Sequence, residues 1–274
     1  MSKLCYFKGK IGDIDSFQLP LNDLAVLRGY GIFDYLRTYN GKPFLLDNHI
    51  DRFFYSADLL GLNVIEDRTK IKQVVASLLK KSGLKDAGFR LVLTGGSSPD
   101  AFSFSDPHFF ILIEPLPSYD ELIWENGVKL MSHNYLRCLP EVKSINYVEA
   151  IRLQPQRLKA KAFDILYTYN ANVLECTRSN FFLFHGDTLV TPQNNVLIGR
   201  TRNLILELAD NLFKIEERDI SIEELESCSE VFLSGTTKKV LPVRCIDELS
   251  IADGNRGVNT LSLQKRFNKY VASL

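Results

Sequence analysis

A chain of 274 residues with 45% hydrophobic content has material for one large domain or two modest ones, since domains run to roughly 100 to 200 residues. Its 33 basic residues balance 33 acidic ones, so no net field draws it to nucleic acid or an anionic membrane, and small molecules or a second copy of itself are the expected partners. Five scattered cysteines (Cys5, Cys138, Cys176, Cys228, Cys245) make an odd total without a C-x-x-C pair, which excludes a disulfide framework and a cysteine metal site, and no metal is expected.

In chain order, the opening MSKLCYFKGKIG lacks the apolar stretch of a signal peptide. No apolar run approaches the roughly 20 residues that span a bilayer, so a cytoplasmic protein is expected. Asp47 can cap a helix in which Ile50, Phe53, Phe54, Ala57 and Leu60 recur at helical spacing before Gly61. Val74, Val75, Leu78 and Leu79 mark a second helix, ended by Gly83. Residues 89–93 and 108–114, rich in β-branched and aromatic side chains, read as strands on either side of a polar loop at 95–100. The prolines at 115 and 117 suit a stiff connector, placing a small N-terminal α/β domain at 1–116, a linker at 117–122 and a larger domain at 123–274. In the latter, strands are expected over 128–133 and 164–169. A hairpin follows over 181–185 and 188–191, turned at Gly186 and Asp187, then strands over 230–233 and 240–246. Leu204, Leu208 and Leu212 share a face of a helix over 201–211, as do Leu263, Phe267 and Val271 near the end.

Five short segments hold residue types suited to chemistry. Lys143 lies between the turn at Pro140 and a segment alternating apolar with polar residues; judged alone, such a lysine simply holds a charge in water. Glu175 precedes the polar Cys176-Thr177-Arg178-Ser179-Asn180 and a strongly apolar strand, and a carboxylate entering a core needs a cationic or hydrogen-bonded partner. Gly199-Arg200-Thr201 opens an amphipathic helix and Ser234-Gly235-Thr236-Thr237 follows a strand. Either can offer backbone N–H groups and hydroxyls to an anion, or be a plain cap or turn. Arg52 sits beside the apolar face of the first helix, where a guanidinium can reach inward or remain solvated.

Together with Leu27-Arg28-Gly29-Tyr30-Gly31-Ile32-Phe33-Asp34, these blocks stand in the order found in the fold type IV pyridoxal-phosphate enzymes, the class IV group of D-amino-acid and branched-chain aminotransferases and aminodeoxychorismate lyase, which the chain resembles over nearly its whole length. The resemblance implies an α+β, two-lobed fold whose C-terminal lobe has a β-barrel-like core. It implies pyridoxal 5′-phosphate as cofactor, bound covalently by Lys143, the catalytic residue, with Glu175 pairing the pyridine nitrogen. Arg52, Arg200, Thr201 and Thr236 match phosphate positions, Gly199, Gly235, Ser179 and Asn180 complete the cofactor set, and Tyr147 is matched to the phenolic oxygen. Two departures stand out: Arg200 replaces the usual aliphatic residue, and Ala171 with Asn172 replaces the usual glycine turn.

The same resemblance implies a homodimer with shared active sites and ping-pong amino transfer between an amino acid and a 2-oxo acid. Arg28 and Arg178 are the guanidinium groups suited to a substrate carboxylate, with Phe33, Tyr35 and Thr237 as further substrate contacts and Phe102 a third wall of an apolar pocket. Segments 27–35, 90–100 and 139–147 look closest to D-amino-acid transaminases, so D-amino acids are the first expectation. L-branched-chain transamination comes second, the lyase third, and a catalytically dead binding module is the reading from outside enzymology. The four histidines suit no hydrolase, there being no G-x-S-x-G elbow.

Overall fold

The computed structural model describes residues 4–104 and 106–274, so the first three residues of the opening stretch lie outside the described residues. The chain divides into two compact units, Met1–Pro117 with Val142–Tyr147 and Leu274, and Ser118–Glu141 with Val148–Ser273. Residues 142–147 thus fold with the first unit, where a single body over 123–274 was expected.

The first unit comprises β1 (Leu4–Phe7), β2 (Lys10–Asp13), α1 (Leu24–Arg28), β3 (Gly31–Tyr39), β4 (Lys42–Pro43), α2 (Leu46–Leu59), α3 (Arg68–Ser82), β5 (Gly88–Thr94) and β6 (Phe109–Glu114). Its sheet is antiparallel throughout, in the order β2-β1-β6-β5-β3-β4. Helix α2 buries Ile50, Phe53 and Ala57 at 0–1% exposure, the spacing that the sequence shows. Its N-cap, however, is Leu45 in a left-handed conformation, and Asp47 falls in the first turn, where an acid still complements the helix dipole. Helix α3 is capped by Asp67, whose side chain accepts from Lys70 N, and stopped by Gly83 at φ 68°.

Strand β3 pairs with β4 only at Thr38 and Tyr39, which leaves one edge of its first half open. Residues 142–147 fill that edge: Phe33 N donates to Lys143 O at 2.9 Å and Ile145 N to Gly31 O at 3.0 Å. This main-chain pairing, with Val142 fully buried in the same core, carries Lys143 into the first unit. Gly31 is required there, since a Cβ on it would stand 2.6 Å from Leu93 O.

The second unit contains α4 (Ile123–Asn126), β7 (Val128–Asn134), α5 (Val148–Arg152), α6 (Gln154–Lys159), β8 (Asp164–Tyr169), β9 (Asn172–Cys176), β10 (Ser179–His185), β11 (Thr188–Thr191), α7 (Arg200–Ala209), β12 (Lys214–Glu217), β13 (Ile220–Ser221), β14 (Glu230–Gly235), β15 (Lys239–Ile246), β16 (Leu249–Ser250) and α8 (Val258–Ala272). Strands β10, β14, β15, β7, β8 and β9 close into a barrel because β9 pairs back onto β10. Leu130, Leu166, Phe181, Leu183, Leu233 and Leu241 fill it, each fully buried. Phe182 and Phe232 point the other way along their strands and stack at 4.7 Å between ring centroids.

The expected hairpin is β10 and β11, with His185 opposite Thr188 and Gly186 at φ 57°. The helix expected over 201–211 ends at Ala209, so Leu212 lies past its last turn. Among the described residues no helix is long and apolar enough to cross a membrane.

Candidate active site

Residues on β3 alternate in burial, which sends the first unit's candidate residues to two faces of the strand. Asp34 faces α2 and is fully buried. There the i, i+3 spacing of His49 and Arg52 brings both side chains to its carboxylate. Arg52 donates Nε to Oδ2 and Nη2 to Oδ1, both at 2.8 Å, and His49 Nδ1 lies 2.7 Å from Oδ1. Burial would raise the Asp34 pKa, but Arg52 and His49 outweigh it and hold the carboxyl well below the usual range. Burial pushes His49 down, helped by Arg52 and Lys143 and opposed by Asp34. Arg52 Nη1 donates to nothing among the described residues and can still serve an anion.

Phe33 and Tyr35 lie on the opposite face of β3. Lys143 Nζ stands 4.6 Å from the Phe33 ring centroid, and Tyr147 meets that ring edge-on at 5.7 Å. The backbone at Lys143 is held from two sides, its carbonyl by Phe33 N and its N–H by Ser56 Oγ at 3.2 Å. Arg90, unmarked as a site residue in the sequence, lies over both Phe33 and Tyr35, at 5.6 and 5.1 Å from their centroids, and is gripped bidentately by Glu114. A charge inside the apolar run at 89–93 was its one signal. Arg28, the last residue of α1, is exposed and stacks 5.2 Å from the Phe102 ring, itself 79% exposed, so Phe102 does not join Phe33 and Tyr35 as a pocket wall within this unit.

Within the second unit, strand register brings a separate set of groups together: Asn180 is opposite Glu175 on β9 and opposite Ser234 on β14. Glu175 is 5% exposed and ion-paired to Arg137, which reaches Oε1 through Nε at 2.9 Å and Nη2 at 2.8 Å. Arg137 is the partner that the buried carboxylate required, and its place in the loop after β7 left no pattern by which to pick it out. Asn180 Nδ2 donates to Leu197 O at 2.6 Å, beside the start of α7. Gly199 caps that helix without a side-chain hydrogen bond, and a Cβ there would stand 2.0 Å from Asn180 Oδ1, so only glycine fits. Thr201 is buried, while Arg200 turns back to donate to Ile198 O at 2.9 Å. The turn after β14 is closed by Lys238 N donating to Gly235 O at 3.1 Å, and Thr236 and Thr237 are half-buried on it. Ser234 Oγ is buried with no hydrogen-bond partner among the described residues. Arg178 is exposed on the turn between β9 and β10.

The departure at Ala171 has a conformational consequence. Asn170 and Ala171, at φ 48° and 59°, are the two turn residues between Tyr169 and Asn172, so the hairpin aiming β9 and Glu175 uses the double left-handed turn that glycine favours. An alanine in this region carries about 1–2 kcal/mol of strain relative to its ordinary conformation.

The chemistry of these donors fits a phosphorylated pyridoxal. In the second unit an uncapped helix start, a hydroxyl-bearing turn and an orphaned buried serine hydroxyl suit a phosphate and a buried carboxylate suits a pyridinium; in the first unit a lysine set against an aromatic face suits a carbonyl. The family model described as Amino-transferase class IV matches residues 31–246, and the chain belongs to this family. It is a pyridoxal-phosphate-dependent aminotransferase.

Among its relatives, D-alanine aminotransferase of Staphylococcus epidermidis is 29% identical over 98% of both chains. A putative branched-chain-amino-acid aminotransferase of Methanocaldococcus jannaschii is also 29% identical, over 96% of this chain and 94% of that one. The structure of the T.th. branched-chain amino acid aminotransferase with pyridoxamine 5′-phosphate superposes with a TM-score of 0.92 at 20% identity, covering 100% of this chain and 95% of that one, and so shares the fold.

Proposed function

We propose that this enzyme moves amino groups between D-amino acids and 2-oxo acids, with Lys143 as the catalytic residue. The near full-length correspondence to a D-alanine aminotransferase carries the stereochemical preference. Pyridoxal 5′-phosphate, when bound, supplies an electrophilic carbonyl and a ring that accepts electrons. Lys143 Nζ would take the α-proton of the amino donor and deliver it within the same half-reaction, and would run the same transfer in reverse for the 2-oxo acid. Glu175, ion-paired with Arg137, would hold a proton at the pyridine nitrogen, and Tyr147 would serve the phenolic oxygen. Arg52, the first turn of α7 at Gly199, Arg200 and Thr201, and Ser179, Asn180, Gly235 and Thr236 bind the phosphate. Phe33, Tyr35 and Thr237 line the substrate position. Arg28 and Arg178, as guanidinium groups facing the substrate, would favour small or acidic side chains over purely aliphatic ones.

The relative in Methanocaldococcus jannaschii, equally similar, favours L-branched-chain substrates as a second reading. Mixing the holoenzyme with D-alanine, D-glutamate, L-leucine and L-glutamate in turn, and following conversion of the bound cofactor to its amine form by absorbance, separates the two. D-Alanine and D-glutamate are expected to react; conversion by L-leucine alone sinks the D-specific assignment.

We further propose a cytoplasmic homodimer in which Arg28 serves the partner's site and Arg178 its own. The exposed Leu21, Val26, Phe102 and Phe104 of the first unit, at 85, 56, 79 and 48%, supply apolar surface for such an interface. Sedimentation is expected to show a dimer whose specific activity falls on dilution; a fully active monomer removes Arg28 from the site.

A further inference from the structure

Lys238 is a buried cation that none of the roles above uses. It is 2% exposed, yet its ammonium has a full set of neighbours: Asp164 Oδ2 at 2.7 Å, Ser179 Oγ at 2.5 Å, and the Phe163 ring at 5.5 Å from the centroid. Asp164, 2% exposed, is completed by Thr177 Oγ1 and by Ile165 N at 2.9 Å. Burial would raise the Asp164 carboxyl, but Lys238, Thr177 and Arg178 hold it below its ordinary range, and it is ionised. Removing a lysine and an aspartate together from water carries a desolvation penalty, and a stabilising role alone does not explain the pair, because well-packed apolar residues do as well or better.

What the pair does locally is fix a hydroxyl. Ser179 is 6% exposed, and its Oγ accepts from Lys238, so its own hydrogen points away from the ammonium. That hydrogen meets no acceptor among the described residues. Ser179 stands opposite the turn that closes β14, and a Cβ on Gly235 would lie 3.7 Å from Ser179 Oγ. The turn belongs to the same residue, since Lys238 N closes it on Gly235 O.

We propose that Lys238 is a positioning residue: through Asp164 and Ser179 it aims the serine hydroxyl, as a directed donor, at an anion held by the turn at 235–237. This rests on reading that turn as part of the cofactor's phosphate site. Because Asp164 cancels the ammonium's charge a few ångströms away, the effect is one of direction rather than long-range attraction. A hydroxyl that already accepts from a cation is also a stronger donor than a free one.

The test compares affinities of the cofactor-stripped full chain for pyridoxal 5′-phosphate and for pyridoxal, which lacks the phosphate. Trp124, the one tryptophan, donates Nε1 to Lys238 O at 2.9 Å, so its fluorescence reports binding at the turn. Two variants are needed: Ser179→Ala, which keeps the ion pair and deletes the hydroxyl, and the double substitution Asp164→Asn with Lys238→Met, which leaves no buried charge unpaired. In both, the preference for the phosphorylated ligand is expected to fall at least about tenfold, with pyridoxal binding little changed. A general folding defect weakens both ligands alike and counts against the proposal, as does an unchanged preference in folded Ser179→Ala. A wild-type chain that takes up no pyridoxal 5′-phosphate overturns the proposed function and this inference with it, whereas normal uptake with unaffected variants overturns the inference alone.

Discussion

Lys143→Ala is expected to lower transamination by about 10²- to 10⁴-fold, the range associated with a positioned proton-transfer group, and to abolish covalent retention of the cofactor. The fold should survive, because Lys143 is held by its backbone, through Phe33 N and Ser56 Oγ, and its side chain lies against Phe33 in a half-buried position. Borohydride treatment of the wild-type holoenzyme followed by peptide mapping provides the complementary measurement. The label is expected at position 143, and a label on any other lysine refutes the central assignment. Retention of more than a few per cent of wild-type turnover by the alanine variant would show that another group carries the proton.

The second large effect concerns Asp34. Replacing it with alanine leaves Arg52 and His49, 6% and 1% exposed, without the carboxylate that both contact. Breaking a buried ion pair on one side destabilises by about 3–5 kcal/mol, so the urea midpoint should drop by a large fraction of the whole transition. An unchanged midpoint would mean that water replaces the carboxylate at no net cost. The acid side of the wild-type stability profile has the same origin. Both Asp34 and His49 have folded-state pKa values below their ordinary ones, so each binds fewer protons folded than unfolded, and stability rises with pH. The His49 contribution is present in full above the ordinary histidine value, about 6.5, and is lost as pH falls towards its folded value. The Asp34 contribution persists to lower pH and is lost through and below the ordinary aspartate range, about 3.9. Asp34→Ala should therefore flatten the stability profile at its most acidic end.

The sequence by itself determined most of the elements and much of the chemistry. Helical spacing located α2 and α3, alternation and turn residues located β10 with β11, and the ordered blocks around Lys143, Glu175, Gly199 and Gly235 marked the family. It did so because these signals are local: a side-chain period, a cap or a turn is written in a few adjacent residues. The N-terminal hairpin of β1 and β2 and the long strand β3 went unread, since polar Asp34, Arg37 and Thr38 interrupt the apolar pattern of β3. Asp34 and Thr38 are polar and yet fully buried, their partners standing on α2 and next to β5, far away in the chain.

Only the tertiary structure decided which body carries Lys143, because the edge of β3 that receives residues 142–147 exists only once the sheet has formed. It alone supplied Arg137 to Glu175, Arg90 to the aromatic face and Lys238 to Asp164. A buried charge announces in sequence that it needs a partner, but the partner's identity follows from which strands become neighbours, and strand register is a property of the folded barrel rather than of any segment in it.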